Sequence, residues 1–319
     1  MPTLQEWRGD DGAVVRYTPV RSFGKVWVAA GLPSSSRTND VVAFERAAAV
    51  ENARVLWFAV ESPEFIDGSR PSIVIGAEPV WSSSRWDEIV SSKRSVRAQI
   101  ARARNKGLEV EQWDSARVSA SAELRTILED WLSRRGLPPL SFMANPYVLQ
   151  APGPRTFHVA VLEGEPVGYL AMVPGDEALI EWIIQHRRAP NGTAAMLLDA
   201  AVRSLPHDST FTLGMVPLSS YAPLSTERPG PLVRALLSWV RAHATRFYNF
   251  EGLERFKAKF VPDYWRPLWL VTDGRPINVL TFHAVAAAFS SSRGPTRFVA
   301  RALGDAVLEE ARRLGASSR

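Results

Sequence analysis

The sequence predicts an α/β protein of two domains. Three observations predict it. The chain has 319 residues with 46% apolar content, enough for two packed cores. Short β-branched runs alternate with segments of helical period along most of its length. One stretch, Leu179 to Ala200, has the layout of a buried strand, a tight basic loop and a helix, and the other elements are arranged around it.

In the first part, expected to span residues 1–113, Val14 to Tyr17 and Lys25 to Ala30 are candidate strands, followed by a Gly31-Leu32-Pro33 turn. Asn39 or Asp40 is the expected cap of a helix carrying Val41, Val42, Phe44 and the alanines up to Val50. Val55 to Val60 and Ser72 to Ile75 supply two more strands. Nothing here assembles a nucleophile, a base and an anion hole, so the expected role is structural or recognition. Lys93, Arg94, Arg97, Arg102, Arg104 and Lys106 then form a stretch without any acidic residue. On a helix, Val96, Ile100 and Ala103 give it one narrow apolar stripe, and Gly107 stops it. Such a helix is either a solvated face or a site for a polyanion, nucleic acid or an anionic membrane.

The second part is expected over residues 114–275. Leu124, Ile127, Leu128, Trp131 and Leu132 mark an amphipathic helix ending near Gly136-Leu137-Pro138-Pro139. Phe157 to Leu162, a turn at Gly164 and Val167 to Val173 read as a hairpin. In the central stretch, Leu179 to Ile184 is the strand, and Met196, Leu197, Ala200 and Ala201 recur at helical spacing. Between them, Asn191 and Gly192 can take positive φ and Thr193 opens the helix, while Arg187 and Arg188 add charge. This is either an anion-holding turn or an ordinary strand-to-helix connection; it lacks the ending of a P-loop. A strand at Phe211 to Met215, a long Pro217 to Pro231 loop and a helix with Leu232, Leu236, Trp239 and Val240 inward follow. Phe247 to Phe260 leads into a strand at Leu268 to Val271. Residues 276–319 form a tail with an alanine-rich stretch to Phe289 and a helix from Arg297 to Leu314, either packed on the domain or in contact with a membrane.

Composition narrows the chemistry. The chain has no cysteine, which rules out disulfides, thiolate nucleophiles and iron–sulfur clusters. Five scattered histidines without ligand spacing make a metal centre unexpected. The polar start, Met1 to Asp11, is not read as a signal peptide, and no apolar run is long enough to span a bilayer. A cytoplasmic protein is the expectation.

The order helix, hairpin, strand, anion loop, helix, strand, helix, strand is that of an acyl-CoA N-acyltransferase (GNAT) domain. Three stretches add a more specific likeness: Ala189-Pro190-Asn191-Gly192-Thr193, then Leu213 to Ser219, then Phe247 to Phe260 with Trp265-Arg266-Pro267. Together with Trp27 to Gly31, Ile75-Gly76, the Arg94-to-Gly107 helix and Trp131 to Pro139, they resemble the C-terminal catalytic domain of phosphatidylglycerol lysyltransferases, the aminoacyl-phosphatidylglycerol synthases. The resemblance covers nearly the whole chain. It implies a tandem GNAT-like fold that moves an aminoacyl group from aminoacyl-tRNA to a lipid hydroxyl, with the first unit a degenerate copy and only the second active. The multispanning membrane domain that many members carry ahead of this region is not in this sequence, so action at the inner membrane face, without flipping the product, is the expectation. Many members also have an arginine four residues before the Ala-Pro pair. Here Gln185-His186-Arg187-Arg188 stands instead, and neither the amino acid nor the acceptor is assigned.

The implied reaction needs no cofactor, because the tRNA ester is already activated; aminoacyl-tRNA is the co-substrate. It needs aligned substrates, donors near the developing oxyanion and a route for one proton. Lys257 and Lys259 diverge by about 200° on a helix, so only one can point into the site. The family's Phe-Lys-x-x-Phe spacing favours Lys257, contacting a terminal phosphate or the oxyanion, with Lys259 facing away. Glu251 or Glu181 would hold the aminoacyl ammonium or take the hydroxyl proton. Arg187, Arg188, Asn191, Gly192, Thr193 and Arg255 would bind substrate, and Lys93, Arg94, Arg97, Arg102, Arg104 and Lys106 would bind tRNA. An acetyl-CoA-dependent N-acyltransferase and a non-catalytic tRNA- or membrane-binding protein are the alternatives.

Overall fold

The computed structural model describes residues 4–35, 37–134, 142–143, 145–222 and 250–289. The expected helix around Leu232 to Val240, the tail helix Arg297 to Leu314 and the Gly136-to-Pro139 stop lie outside the described residues.

In chain order the elements are strands β1 (Gln5–Arg8), β2 (Val14–Arg21) and β3 (Lys25–Ala30), helix α1 (Thr38–Val50), strand β4 (Ala53–Val60), helix α2 (Glu64–Asp67), strand β5 (Ser72–Ser82), helices α3 (Trp86–Ser92) and α4 (Arg94–Asn105), and strand β6 (Leu108–Trp113). Then come helices α5 (Ser115–Ala120) and α6 (Ala122–Ser133), strands β7 (Thr156–Leu162), β8 (Glu165–Val173) and β9 (Glu177–Gln185), helix α7 (Thr193–Arg203), and strands β10 (Thr210–Thr212) and β11 (Val216–Pro217). Helix α8 (Phe250–Ala258), strand β12 (Tyr264–Val271) and helix α9 (Val279–Phe289) complete the described chain.

One continuous sheet runs β1-β2-β3-β4-β12-β5-β10-β9-β8-β7-β6, with β11 added beside β5. Apart from the extra edge strand β6, the order is palindromic. In each half, two antiparallel strands lead into a third, and a helix crosses to a parallel fourth: β3-α1-β4 in one half, β9-α7-β10 in the other. The strand that closes each half lies in the other's place, since β12 pairs with β4 while β5 pairs with β10. The two closing strands pair with each other, antiparallel, at the middle of the sheet. This is the tandem GNAT-like α/β fold, with the halves joined through exchanged strands.

Helices cover both faces, as such a sheet requires. In the first half, Phe44 and Ala48 of α1 pack on Trp27 and Trp57, while Ala284, Ala287 and Ala288 of α9 pack on Val28 and Leu56 from the other side. In the second, α4 and α7 bury Val96, Ile100, Leu197 and Leu198 against Leu170 and Phe211, and Leu124, Ile127 and Leu128 of α6 cover Val159 and Tyr169. Two tryptophans pin this packing: Trp81 Nε1 donates to the Phe260 carbonyl at 2.8 Å and Trp86 Nε1 to Asp199 at 2.9 Å.

Local differences from expectation have local causes. α1 starts at Thr38 without a capping side chain, because Asp40 sits in its first turn and accepts from Ser35 instead. The expected strand from Phe211 stops at Thr212, where Gly214 turns with φ 72°. At Gly76 a Cβ would meet the Val216 carbonyl at 2.3 Å, so glycine there is what lets β11 lie against β5.

Candidate functional site

β5 is an apolar run of eleven residues, SIVIGAEPVWS, with one carboxylate in it. That residue, Glu78, is directly opposite Arg266 of β12, so the register of the two closing strands brings the charges together. Arg266 donates to Glu78 Oε1 from Nε at 2.9 Å and from Nη2 at 2.5 Å. It also reaches Glu177 Oε1 at 2.5 Å, at the start of β9, and Glu61 Oε2 at 3.1 Å, just past the end of β4. Thr212 Oγ1, ending β10, is 3.4 Å from the other Glu78 oxygen, and the Gly214 N–H donates to Thr212 Oγ1 at 3.0 Å. The cluster draws on the ends of strands from both halves.

Lys257 completes it. The residue is 4% exposed, and its Nζ donates to the carbonyls of Leu213 and Gly214, each at 2.7 Å, and of Met215 at 3.2 Å. Burial pulls its pKa down to about 7, against the pull of Glu78. The three carbonyl acceptors use all three N–H groups of the ammonium, so the geometry is built for the charged form. Burial pushes the Glu78 carboxyl above its ordinary range, with Arg266 opposing and Glu177 adding to the rise. Glu61 is raised in the same way, by burial first and then by Glu78 and Glu177, against Arg266. Arg266 is held still more firmly protonated, its three carboxylates outweighing its burial. Three carboxylates thus face two cations, and Glu61, with about half its side chain exposed, is the group that opens to solvent.

The residues expected from sequence are distributed differently. Glu181 is committed to Arg155, at 2.6 and 3.2 Å, and Arg155 is itself anchored on the Pro152 carbonyl. Glu251 and Arg255 form an exposed pair one helical turn apart at 2.8 Å. Arg187 is tied to Asp130, at 2.6 Å from Nη2 and 3.1 Å from its backbone N–H. Arg188 donates to the Pro166 carbonyl at 3.3 Å. Among the described residues, no hydrogen bond of Lys257 goes to Glu181, Glu251 or the Asn191 turn, so these groups do not form the single cluster expected.

The turn and the basic helix do come together. Gly192, at φ 106°, lies so close to α4 that a Cβ would meet the Gln99 carbonyl oxygen at 2.1 Å and the Ala103 Cβ at 3.2 Å. Thr193 is fully buried, its hydroxyl donating to the Pro190 carbonyl at 2.7 Å, while Asn191 is exposed. Gln99, Arg102, Ala103 and Lys106 share a helical face, so Arg102 and Lys106 flank this contact. Lys93, Arg94, Arg97, Arg102, Arg104 and Lys106 are all exposed. Lys259, expected to face away, instead donates to the Gln99 side chain at 2.7 Å and lies 4.4 Å over the Phe260 ring. It is the nearer of the two lysines to the turn by connection.

Sequence reading missed Glu61, Glu78 and Glu177. Glu78 carried a signal, a lone carboxylate inside a buried strand; the other two are ordinary-looking residues that only the sheet order brings to Arg266. Among the described residues no group of three or more histidines, aspartates or glutamates is placed to hold a metal ion, and no helix is long and apolar enough to cross a membrane.

The sequence model of the family "Phosphatidylglycerol lysyltransferase, C-terminal" matches residues 5–272. No curated protein sequence matches. Among solved structures, the chain resembles the C-terminal domain of a protein described as a lysylphosphatidylglycerol synthetase from Agrobacterium fabrum, with 22% identity, 92% of this chain and 91% of that one covered, and a TM-score of 0.71. It likewise resembles L-PGS from Bacillus licheniformis, with 20% identity, 89% and 88% covered, and a TM-score of 0.70. At these identities the structural likeness establishes the shared fold.

Proposed function

The chain belongs to the phosphatidylglycerol lysyltransferase C-terminal family, and on that premise we propose that it moves an aminoacyl group from aminoacyl-tRNA to the hydroxyl of a phosphatidylglycerol-like lipid. The observation that carries the reading is the charged cluster of Glu61, Glu78, Glu177, Arg266 and Lys257 where the two halves meet, with Glu78 and Lys257 buried and Glu61 open to solvent. Its excess of carboxylate over cation suits the ammonium of an incoming aminoacyl group, which Glu61 is open enough to meet. In this reading Glu78, whose carboxyl burial raises above its ordinary range, is the proton acceptor.

In this scheme the lipid hydroxyl oxygen attacks the ester carbonyl carbon and a new C–O bond forms. The bond to the tRNA ribose oxygen breaks, and the hydroxyl proton passes to Glu78, which hands it on to the leaving ribose oxygen. Lys257 acts by holding the carbonyls of residues 213–215 in place beside the reacting groups, a positioning part in place of the direct contact expected from sequence. No cofactor takes part. The exposed cations of α4, with Arg188 and the Asn191 turn, form the tRNA surface, and the lipid is met at the inner membrane face from the cytoplasmic side.

Support against an acetyl-CoA donor comes from the turn itself. The Gln99 carbonyl covers the Gly192 Cα, and a carbonyl oxygen there repels the pyrophosphate that a coenzyme would bring. Purified protein incubated with phosphatidylglycerol and labelled aminoacyl-tRNAs should yield labelled lipid, lost on RNase treatment and falling steeply with salt. Acetyl transfer from acetyl-CoA that RNase leaves untouched would replace this reading.

A further inference from the structure

At the end of the first half opposite the Glu61 cluster, the β2–β3 hairpin closes through Ser22, Phe23 and Gly24 in a way that serves the fold poorly. Phe23 has φ 51°, a region that bulky side chains avoid, and is 80% exposed. Arg21 and Lys25 are directly paired across the two strands, both exposed, and like charges in that position repel. The hairpin is nevertheless held firmly. Buried Ser22 bonds His283 Nδ1 at 2.8 Å and donates to the Leu280 carbonyl at 3.4 Å, and the Phe23 ring sits edge-on to His283 at 5.9 Å.

Two more exposed apolar side chains stand nearby. Leu280, in the first turn of α9, is 38% exposed. Val50, 85% exposed, ends α1 at the turn into β4, and because Lys25 pairs with Ala53 this turn is next to the hairpin tip. Arg54 lies at the start of β4 opposite Val26, so this end of the sheet carries Arg21, Lys25 and Arg54, with Glu51 in the turn.

We propose that this end of the first half docks on an anionic lipid surface, with Phe23 entering the headgroup region alongside Val50 and Leu280 while Arg21 and Lys25 meet the phosphates. An aromatic tip between cations on a braced hairpin matches the chemistry of a bilayer interface, and that occupant relieves both the exposure and the charge repulsion. The proposal rests on the reading above only in taking a lipid membrane as the occupant.

The test is co-sedimentation of the full chain with large vesicles of phosphatidylcholine alone or mixed with phosphatidylglycerol. The wild type should sediment with the mixed vesicles only, and Phe23→Ser with Lys25→Glu should weaken that binding by about tenfold or more while the melting temperature holds or rises. Aminoacyl transfer to phosphatidylglycerol in detergent micelles should be unchanged in the variant but lowered on vesicles. Equal vesicle binding by variant and wild type overturns the docking surface and leaves the proposed function standing. A wild type that self-associates through Phe23 without binding vesicles overturns it in favour of a second copy of the chain. Failure of the wild type to transfer in micelles counts against the proposed function, whatever the vesicles show.

Discussion

Lys257 was selected in the sequence by spacing, and spacing gives only the helix face on which a side chain stands. What faces it, three carbonyls in the turn after β10, depends on how α8 packs. Replacing Lys257 with Met leaves those acceptors without a donor in a buried place, where each such loss costs about 1–3 kcal/mol. Chemical denaturation should therefore show a clear drop in stability together with loss of transfer. Lys259→Met removes one hydrogen bond, to Gln99, and should be milder on both counts. A Lys257→Met protein as stable as the wild type would show that the ammonium does not hold this backbone. Glu181, Glu251 and Arg187 illustrate the same limit. Each is a plausible reactive group in one dimension, and each is engaged by a partner. Glu251 pairs with Arg255 one turn along its own helix, whereas Arg155 lies 26 residues away from Glu181 and Asp130 57 from Arg187.

Elements were more legible than sites. Runs of β-branched and aromatic residues marked β3, β4, β7, β8 and β9, because strands buried on both faces need no polar alternation. β6, LEVEQW, escaped notice because it is an edge strand paired only with β7, and its exposed side carries glutamates. The Asn191 turn was recognised as special, and its glycine is required twice, for φ 106° and for the approach of Gln99. Gly192→Ala should destabilise the chain by about 1–3 kcal/mol or more and loosen α4 from α7, visible as faster hydrogen exchange in both helices. An unchanged exchange pattern would show that this contact is not tight. The link between α6 and β9 should govern part of the acid sensitivity. Burial alone would raise Asp130, but the bonds from Arg187 and the charges of Arg134 and Arg187 hold it below its ordinary range. A lowered carboxylate adds stability above its unfolded pKa and loses it as the pH falls through the folded one. Melting temperatures of Asp130→Asn should accordingly sit below wild type at neutral pH and converge with it in acid; a constant gap at every pH would exclude this ion pair as the cause.

At the scale of the whole molecule, the tandem arrangement was legible because each half repeats one order of elements. The exchange of closing strands was not, since nothing in β5 or β12 says which half it will complete. Yet that exchange makes the candidate site: it sets Glu78 beside Arg266 and brings Glu61 and Glu177 from opposite halves to one guanidinium. The central claim is that this junction performs aminoacyl transfer, and it is tested most directly by single-turnover transfer from pre-bound, labelled aminoacyl-tRNA to phosphatidylglycerol in micelles, comparing the wild type with Glu78→Gln. Labelled lipid should form with the wild type, and the rate with Glu78→Gln should be about 10²-fold lower or slower still, with tRNA binding close to wild type. A Glu78→Gln protein that transfers at the wild-type rate would contradict it.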